Sequence, residues 1–225
     1  MAIREVTKSI KRRGVVAGVS PRSKNSGREF SRGQSLIIDV AMHLFGVQGY
    51  SGTTMRDIAK AIGVLPGSLY AHIESKETLL VEIVGAGIKA FLSAVEPYAY
   101  SDRPAKERMR AAIKAHITVV AGNPERSLVV FHQWRFLSEA SRAGALEKRR
   151  RYEKAFIRIL EDGVKSGDFS ADINIRIAVF SILGALNWTP EWYSPDGAAK
   201  PDEIGDIMAD TLLGGLVKGS RAARP

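Results

Sequence analysis

The feature that most constrains this chain is a pair of short helical signals parted by only three residues, Gly63 and Pro66 marking the junction. Upstream, Leu36, Ile37, Val40, Ala41, Leu44 and Phe45 recur at spacings of one, three and four, the apolar stripe of one helix, which Gly46 and Gly49 weaken and stop. Thr53 or Thr54 caps the second helix, Asp57 lies in its first turn where the dipole favours it, and Met55, Ile58, Ala59 and Ile62 make its inner face. Gly63 ends it. Pro66 suits the first residue of a third helix, because its missing N–H has no intrahelical partner there. That helix runs through Gly67, Ser68, Leu69, Tyr70 and Ala71 to His72. Ser75 caps a fourth, with Glu77 in its first turn, and Leu79, Leu80, Ile83 and Val84 open an apolar face that continues to Val95.

Two short helices across a tight glycine turn, buttressed by a longer one, form the outline of a helix-turn-helix. Gly63 permits the reversal, and Val64 and Leu69 plug the angle. The outward positions of the third helix are small or hydrogen-bonding: Gly67, Ser68, Tyr70, Ala71 and His72. Such a surface fits a major groove. The same outline also fits a three-helix packing corner that touches no DNA.

Downstream the helical signals continue. Asp102 and Pro104 open a helix to about Ala121, and Gly122-Asn123-Pro124 ends it and starts another containing His132, Gln133, Trp134 and Arg135. A further helix runs from about Ala145 to Lys165, stopped by Ser166-Gly167-Asp168. Asp172 begins a long apolar helix through Leu186 that Pro190 kinks or ends, leaving Trp188, Trp192 and Tyr193 on an irregular turn. Pro201 opens the last. The expectation is an all-α chain of nine helices, three plus six.

Residue chemistry narrows the function. With no Cys and four scattered His, the chain has no disulfide framework, thiolate zinc site or Cys nucleophile. No Ser–His–acid order, metal pair or phosphate-cradling glycine loop is visible, so neither catalysis, nor a metal, nor a cofactor is expected. No run approaches the roughly 20 uncharged apolar residues of a membrane span, and a cytoplasmic protein without membrane contact is expected. The net charge is +9, and residues 1–32 hold nine Lys/Arg against two Glu. This segment reads as a disordered basic arm, either a solvated tail or a phosphate-seeking one. Residues 33–80 then form a helix-turn-helix domain, and residues 81–220 a second, larger helical domain.

The stretches Gly49-Tyr50-Ser51-Gly52-Thr53-Thr54-Met55-Arg56-Asp57-Ile58-Ala59, Gly63-Val64-Leu65-Pro66-Gly67-Ser68-Leu69-Tyr70-Ala71-His72-Ile73 and Ser75-Lys76-Glu77 closely resemble the DNA-binding domain of TetR-family transcriptional regulators. The resemblance implies a homodimer with three N-terminal helices on an operator in double-stranded DNA, a C-terminal domain that binds an effector, and a four-helix interface made by the last two helices. It implies that Tyr70 and Lys76 contact phosphates, with Ser68, His72 and Thr53 or Thr54 as further contacts. Base reading then falls to Gly67, Ser68 and Ala71, with Arg56 of the second helix as a further candidate and Pro66 among the DNA-binding residues. On sequence alone His72 fits equally well as a packing residue in the elbow. Two positions depart from the pattern: Leu65 stands where many relatives have a polar cap, and Ile73 where many have an aromatic.

The segment Ala185–Gly197, together with Leu65–Tyr70, is similar to a TetR subgroup of fatty-acid and steroid catabolism whose effectors are acyl-CoA thioesters. A thioester needs an apolar tunnel, for which Phe91, Phe131, Trp134, Phe136, Leu137, Phe156, Leu183, Trp188 and Trp192 are candidates. It also needs cations for its phosphates, for which Arg149, Arg150, Arg151 and Arg158 are candidates. The same residues also fit an ordinary core and a solvated helix face. The resulting expectation is a DNA-binding repressor released by a lipophilic effector, an acyl-CoA or steroid-derived CoA thioester, with the fourth helix as lever. The alternative is a helical lipid- or CoA-thioester-binding protein with no role on DNA.

Overall fold

The computed structural model describes residues 32–216. Residues 1–31 of the expected basic arm lie outside them, as does the chain beyond 216. Nine α-helices and three short helical turns make up the architecture of the described residues, which contain no strand: α1 (Arg32–Gly52), α2 (Met55–Ile62), α3 (Pro66–Tyr70), α4 (Lys76–Ala99), α5 (Ala105–Gly122), α6 (Pro124–Leu128), the turns Val129–Gln133 and Trp134–Phe136, α7 (Glu139–Ser166), α8 (Ile175–Asn187), the turn Thr189–Trp192, and α9 (Pro201–Gly214).

Local chemistry sets most boundaries. Gly49 breaks α1 with a φ of 76° and ψ of 158°, and Gly63 ends α2 in the left-handed region at φ 85°, conformations that favour glycine. Thr54 caps α2 by accepting from the Asp57 N–H, while the Asp57 carboxylate accepts from the Thr54 N–H at 2.9 Å, a closed capping box. Ser75, Asn123, Ser138 and Asn174 accept in the same way at the starts of α4, α6, α7 and α8.

Several expected boundaries shift. The third helix stops at Tyr70 instead of His72, since its only cap is Pro66 and its last turn relaxes. The helix beyond α6 starts at Glu139, six residues before Ala145, because Ser138 caps it ahead of the weak Gly144. The helix before Pro190 ends at Asn187, and the proline heads a new turn. Beyond Leu128 the chain widens into a π turn, Val129–Gln133, then tightens into a 3₁₀ turn, Trp134–Phe136.

Helix α4 is the spine. By length and apolarity it could cross a membrane, although Glu82 and Lys89 interrupt its apolar run. Here one face of it, from Leu79 through Ile83, Ile88 and Phe91 to Val95, is buried while Val81 is exposed, and it packs along α5 and α7. Helix α9 lies on α5, tied by Lys114 to Asp206 at 2.8 Å and by Arg110 to Asp206 and Asp210. The buried Arg108 joins the end of α4 to α7 through the Tyr98 carbonyl at 3.0 Å and Asp162 at 3.1 Å.

Gly163 on α7 is where Phe169 folds back into the core. A methyl group there would lie 2.2 Å from the buried Phe169 ring and 2.9 Å from the Ala105 Cβ. Gly144 on the same helix has nothing within 4 Å. Gly163→Ala is therefore expected to cost about 1–3 kcal/mol of overpacking. Gly144→Ala should gain up to about 1 kcal/mol of helix propensity. Thermal unfolding of the two variants, moving in opposite directions from the parent, checks both signs.

Candidate nucleic-acid interface and effector cavity

The candidate interface is built on one buried residue. Leu69, 1% exposed, pins α3 to the body, and its neighbours Pro66, Gly67, Ser68, Tyr70, Ala71 and His72 are all exposed. Thr54 and Arg56 are exposed at the start of α2. His72 is on the surface, which removes the packing role. Val64 is 40% exposed and does not plug the elbow; Leu69 and the buried Ile73 fill it.

Two candidate phosphate contacts need correction. Thr53 is fully buried, and its hydroxyl donates to the Gly49 carbonyl at 2.9 Å and the Leu44 carbonyl at 3.3 Å, so it anchors the α1–α2 turn from inside. Lys76 is half-buried and points back: its ammonium donates to the carbonyls of Tyr50 and Thr53 at 2.9 and 2.8 Å and stands 4.1 Å from the centre of the Tyr50 ring. Every proton it offers to those carbonyls is one withheld from a phosphate.

Tyr50 also reaches the C-terminal half. Its ring lies on Phe136 with centroids 5.6 Å apart, and its N–H donates to the Gln133 side chain at 3.2 Å. Nearby, the Glu77 carboxylate accepts from the Ser138 N–H at 2.9 Å, and His43 meets Glu125 at 2.9 Å. All four residues met on the C-terminal side lie between α6 and the start of α7.

The other face of that segment lines a cavity of about 80 Å³. Its walls are Ile88 and Phe91 from α4, Val130 and Phe131 from the π turn, Arg149, Tyr152 and Glu153 from α7, and Leu183 and Asn187 from α8. The Asn187 side-chain oxygen is buried there without a hydrogen-bond partner. Arg149 stacks on Trp134, 4.8 Å from the ring centre, and burial pulls its pKa down despite the nearby Glu153.

Of the residues expected here, Phe91, Phe131, Arg149 and Leu183 meet at the cavity. Trp134 stands behind Arg149. Trp188 and Trp192 are corrected: α8 ends one residue before Trp188, and the next turn buries Thr189 and Pro190 while both indoles face outward. Arg158 is corrected as well, being spent on Asp162 at 2.9 Å one helical turn away. Among the remaining candidates, Arg151 pairs with Glu96, Phe136 lies on Tyr50, and Leu137 and Phe156 are core. The reading missed Ile88, Val130, Tyr152, Glu153 and Asn187. Helical spacing held a signal for most of them: Tyr152 and Glu153 are three and four residues after Arg149, Asn187 is four after Leu183, and Ile88 is three before Phe91.

Behind the cavity a buried polar link joins three helices. Burial pushes the His116 pKa down to about 3 and the Tyr152 pKa up, so both are neutral at pH 7. The Leu186 carbonyl can only accept, so His116 Nε2–H donates to it at 3.1 Å and Nδ1 accepts the Tyr152 hydroxyl proton at 2.6 Å. The imidazole stacks on Phe131 and tilts against Phe91.

The comparisons with known proteins match this layout. Residues 37–83 match the bacterial regulatory proteins of the tetR family, and residues 102–216 match the tetracyclin repressor-like C-terminal domain. The chain belongs to the TetR family. It is 29% identical over 206 residues to the HTH-type transcriptional repressor KstR2 of Rhodococcus jostii, covering 87% of this chain and 96% of the relative. The crystal structure of the TetR regulator PfmR from Thermus thermophilus superposes with a TM-score of 0.72 at 30% identity, covering 79% of this chain and 96% of that one. The structure of AibR in complex with isovaleryl coenzyme A and operator DNA gives 0.69 at 27% identity, covering 81% and 96%. Such relatives are named as regulators of transcription, and this TetR chain is a helix-turn-helix regulator, not an enzyme.

The His116 link has a pH consequence. Its folded pKa lies below the unfolded value, so the unfolded chain binds the extra proton between about pH 6.5 and 3 and stability falls as pH falls through that window. Its share of the loss from pH 7 to pH 5 is about 1–2 kcal/mol, near 1.4 kcal/mol for each pH unit below the unfolded pKa. His116→Gln keeps a donor and an acceptor without titrating. Denaturant unfolding at pH 7 and pH 5 should show a smaller drop in the variant, and an equal drop would contradict this assignment.

Proposed function

We propose that the protein is a homodimeric, sequence-specific repressor that releases its operator when a CoA thioester occupies the cavity. The observation that carries this reading is the recognition segment: Pro66 to His72 is exposed except for Leu69, on a seat fixed by Thr53, Tyr50 and Lys76. Its DNA contacts are Thr54, Arg56, Pro66, Gly67, Ser68, Tyr70, Ala71 and His72. Residues 1–32 supply long-range attraction to phosphate, residues 33–80 dock, and the rest senses and dimerises. An exposed apolar ridge on α8 and α9, with Ile177 at 58%, Phe180 at 47% and Ile207 at 64%, supports pairing with a second copy.

The cavity chemistry supports the effector. Arg149 offers a positive charge to a thioester carbonyl or phosphate, and the unpartnered Asn187 oxygen suits an amide N–H such as the pantetheine arm carries. At about 80 Å³ the space is well below the roughly 300 Å³ of a pocket that encloses a drug-sized ligand, so a short acyl tip enters before any wall must move. AibR, whose structure holds isovaleryl coenzyme A, supports the same class. The thioester presses on the π turn and α4 from inside, and those elements hold Tyr50 and the α3 seat, so occupancy alters the separation of the two recognition helices.

Gel-shift titration against duplexes selected from a random pool, at two salt concentrations, tests the regulator half. Selective binding is expected, and short acyl-CoAs added to the complex should release the DNA. Arg149→Met is expected to bind the same duplex with unchanged affinity while needing at least tenfold more thioester for release. A complex that survives every acyl-CoA sinks the effector assignment; equal affinity for selected and random duplexes sinks the repressor.

A further inference from the structure

Leu65 is the most exposed of the large hydrophobic residues described, at 76%, and it immediately precedes the recognition helix. It serves no local purpose there. It holds the cap position of α3 yet makes no side-chain cap hydrogen bond, and the residue placed to staple a helix start to its fourth position is Val64, one earlier. Next to it on α3, Pro66, Gly67 and Ala71 bring no side-chain donor or acceptor and Ser68 brings one hydroxyl, which leaves hydrogen-bonded readout to Ser68, to Tyr70 and His72 at the far end, and to Arg56 of α2. At the start of such a helix an exposed leucine can add discrimination only by apolar contact, and the apolar mark in the major groove is the C5-methyl group of thymine.

We propose that Leu65 is a specificity-determining residue that packs on a thymine methyl in each operator half-site. The inference rests on the DNA-binding reading above. Its geometry needs α3 to enter the groove by its N-terminal end, where the exposed Leu65 immediately precedes Pro66. Burying a methyl-sized group is worth about fourfold in affinity, so the two half-sites of a dimer together give about fifteenfold.

Deoxyuridine differs from thymidine only by that methyl. Duplexes selected from a random pool by the protein itself are scanned by gel shift with each thymine replaced in turn by uracil. One position per half-site should weaken binding about fourfold in the parent. Leu65→Ala should bind the thymine duplex more weakly and show no further loss with uracil there. Leu65→Ser restores a capping hydroxyl, so it separates the contact from helix stability: Ser should raise the unfolding midpoint and still be blind to the methyl. Uracil-insensitive binding by the parent, or undiminished uracil sensitivity in Leu65→Ala, overturns the inference while leaving the regulator intact. A parent that enriches no sequence overturns the regulator reading, and this inference with it.

Discussion

The arrangement of both halves depends on the ammonium group of Lys76. It begins α4, where a cation opposes the helix dipole. Two carbonyls, of Tyr50 and Thr53, and the face of the Tyr50 ring offset that cost, and with them Lys76 closes the turn between α1 and α2 onto the first turn of α4. Thr53 holds the same turn from the inside, through Leu44 and Gly49. The recognition helix is too short to hold itself. Five residues with a proline start and no side-chain cap take their orientation from α2 and α4, and those two from this junction.

Tyr50 extends the junction into the C-terminal half. It is packed between Phe45 and Phe136 and donates its N–H to Gln133, so the exit of α1 is read directly by the π and 3₁₀ turns after α6. That irregular segment has a sequence cause in its neighbour. Gly87 on α4 has no side chain, and Val130 occupies the space, 2.2 Å from where a methyl would stand. α4 and the π turn therefore approach closely, and Val130 and Phe131 line the cavity while Gln133 and Phe136 hold Tyr50. Wall and latch are parts of one short stretch.

Much of the fold was legible because its punctuation is chemical. Gly49, Gly63, Pro66, Ser75, Asn123-Pro124, Gly167 and Pro201 each permit one backbone conformation or satisfy one orphan group, and helix ends follow from them. The site was less legible, for a physical reason. Type and exposure identify a phosphate donor only when nothing inside the protein competes for it, and Thr53 and Lys76 had nearer carbonyls that the linear sequence does not reveal. The tryptophans failed in the same way. Trp188 and Trp192 look like ligand-box residues by composition, but α8 ends at Asn187, and the buried residues of the next turn are Thr189 and Pro190.

The polar groups around the cavity divide by whether they are satisfied. His116 and Tyr152 satisfy each other and Leu186, so they fix α5, α7 and α8 relative to one another and have little reason to rearrange. Asn187 retains an unmatched oxygen, and Arg149 is held by a long hydrogen bond, 3.4 Å to the Val130 carbonyl, by the Trp134 ring and by the nearby charge of Glu153. A ligand gains most by meeting groups the empty protein leaves short. It can shift the molecule only through walls that respond to its presence. Val130 meets both conditions: its carbonyl is the weak partner of Arg149, and its side chain abuts α4 at Gly87. On the function proposed above, a group that drew Arg149 away would free the π turn at the point where it grips the spine, and the turn's other end holds Tyr50.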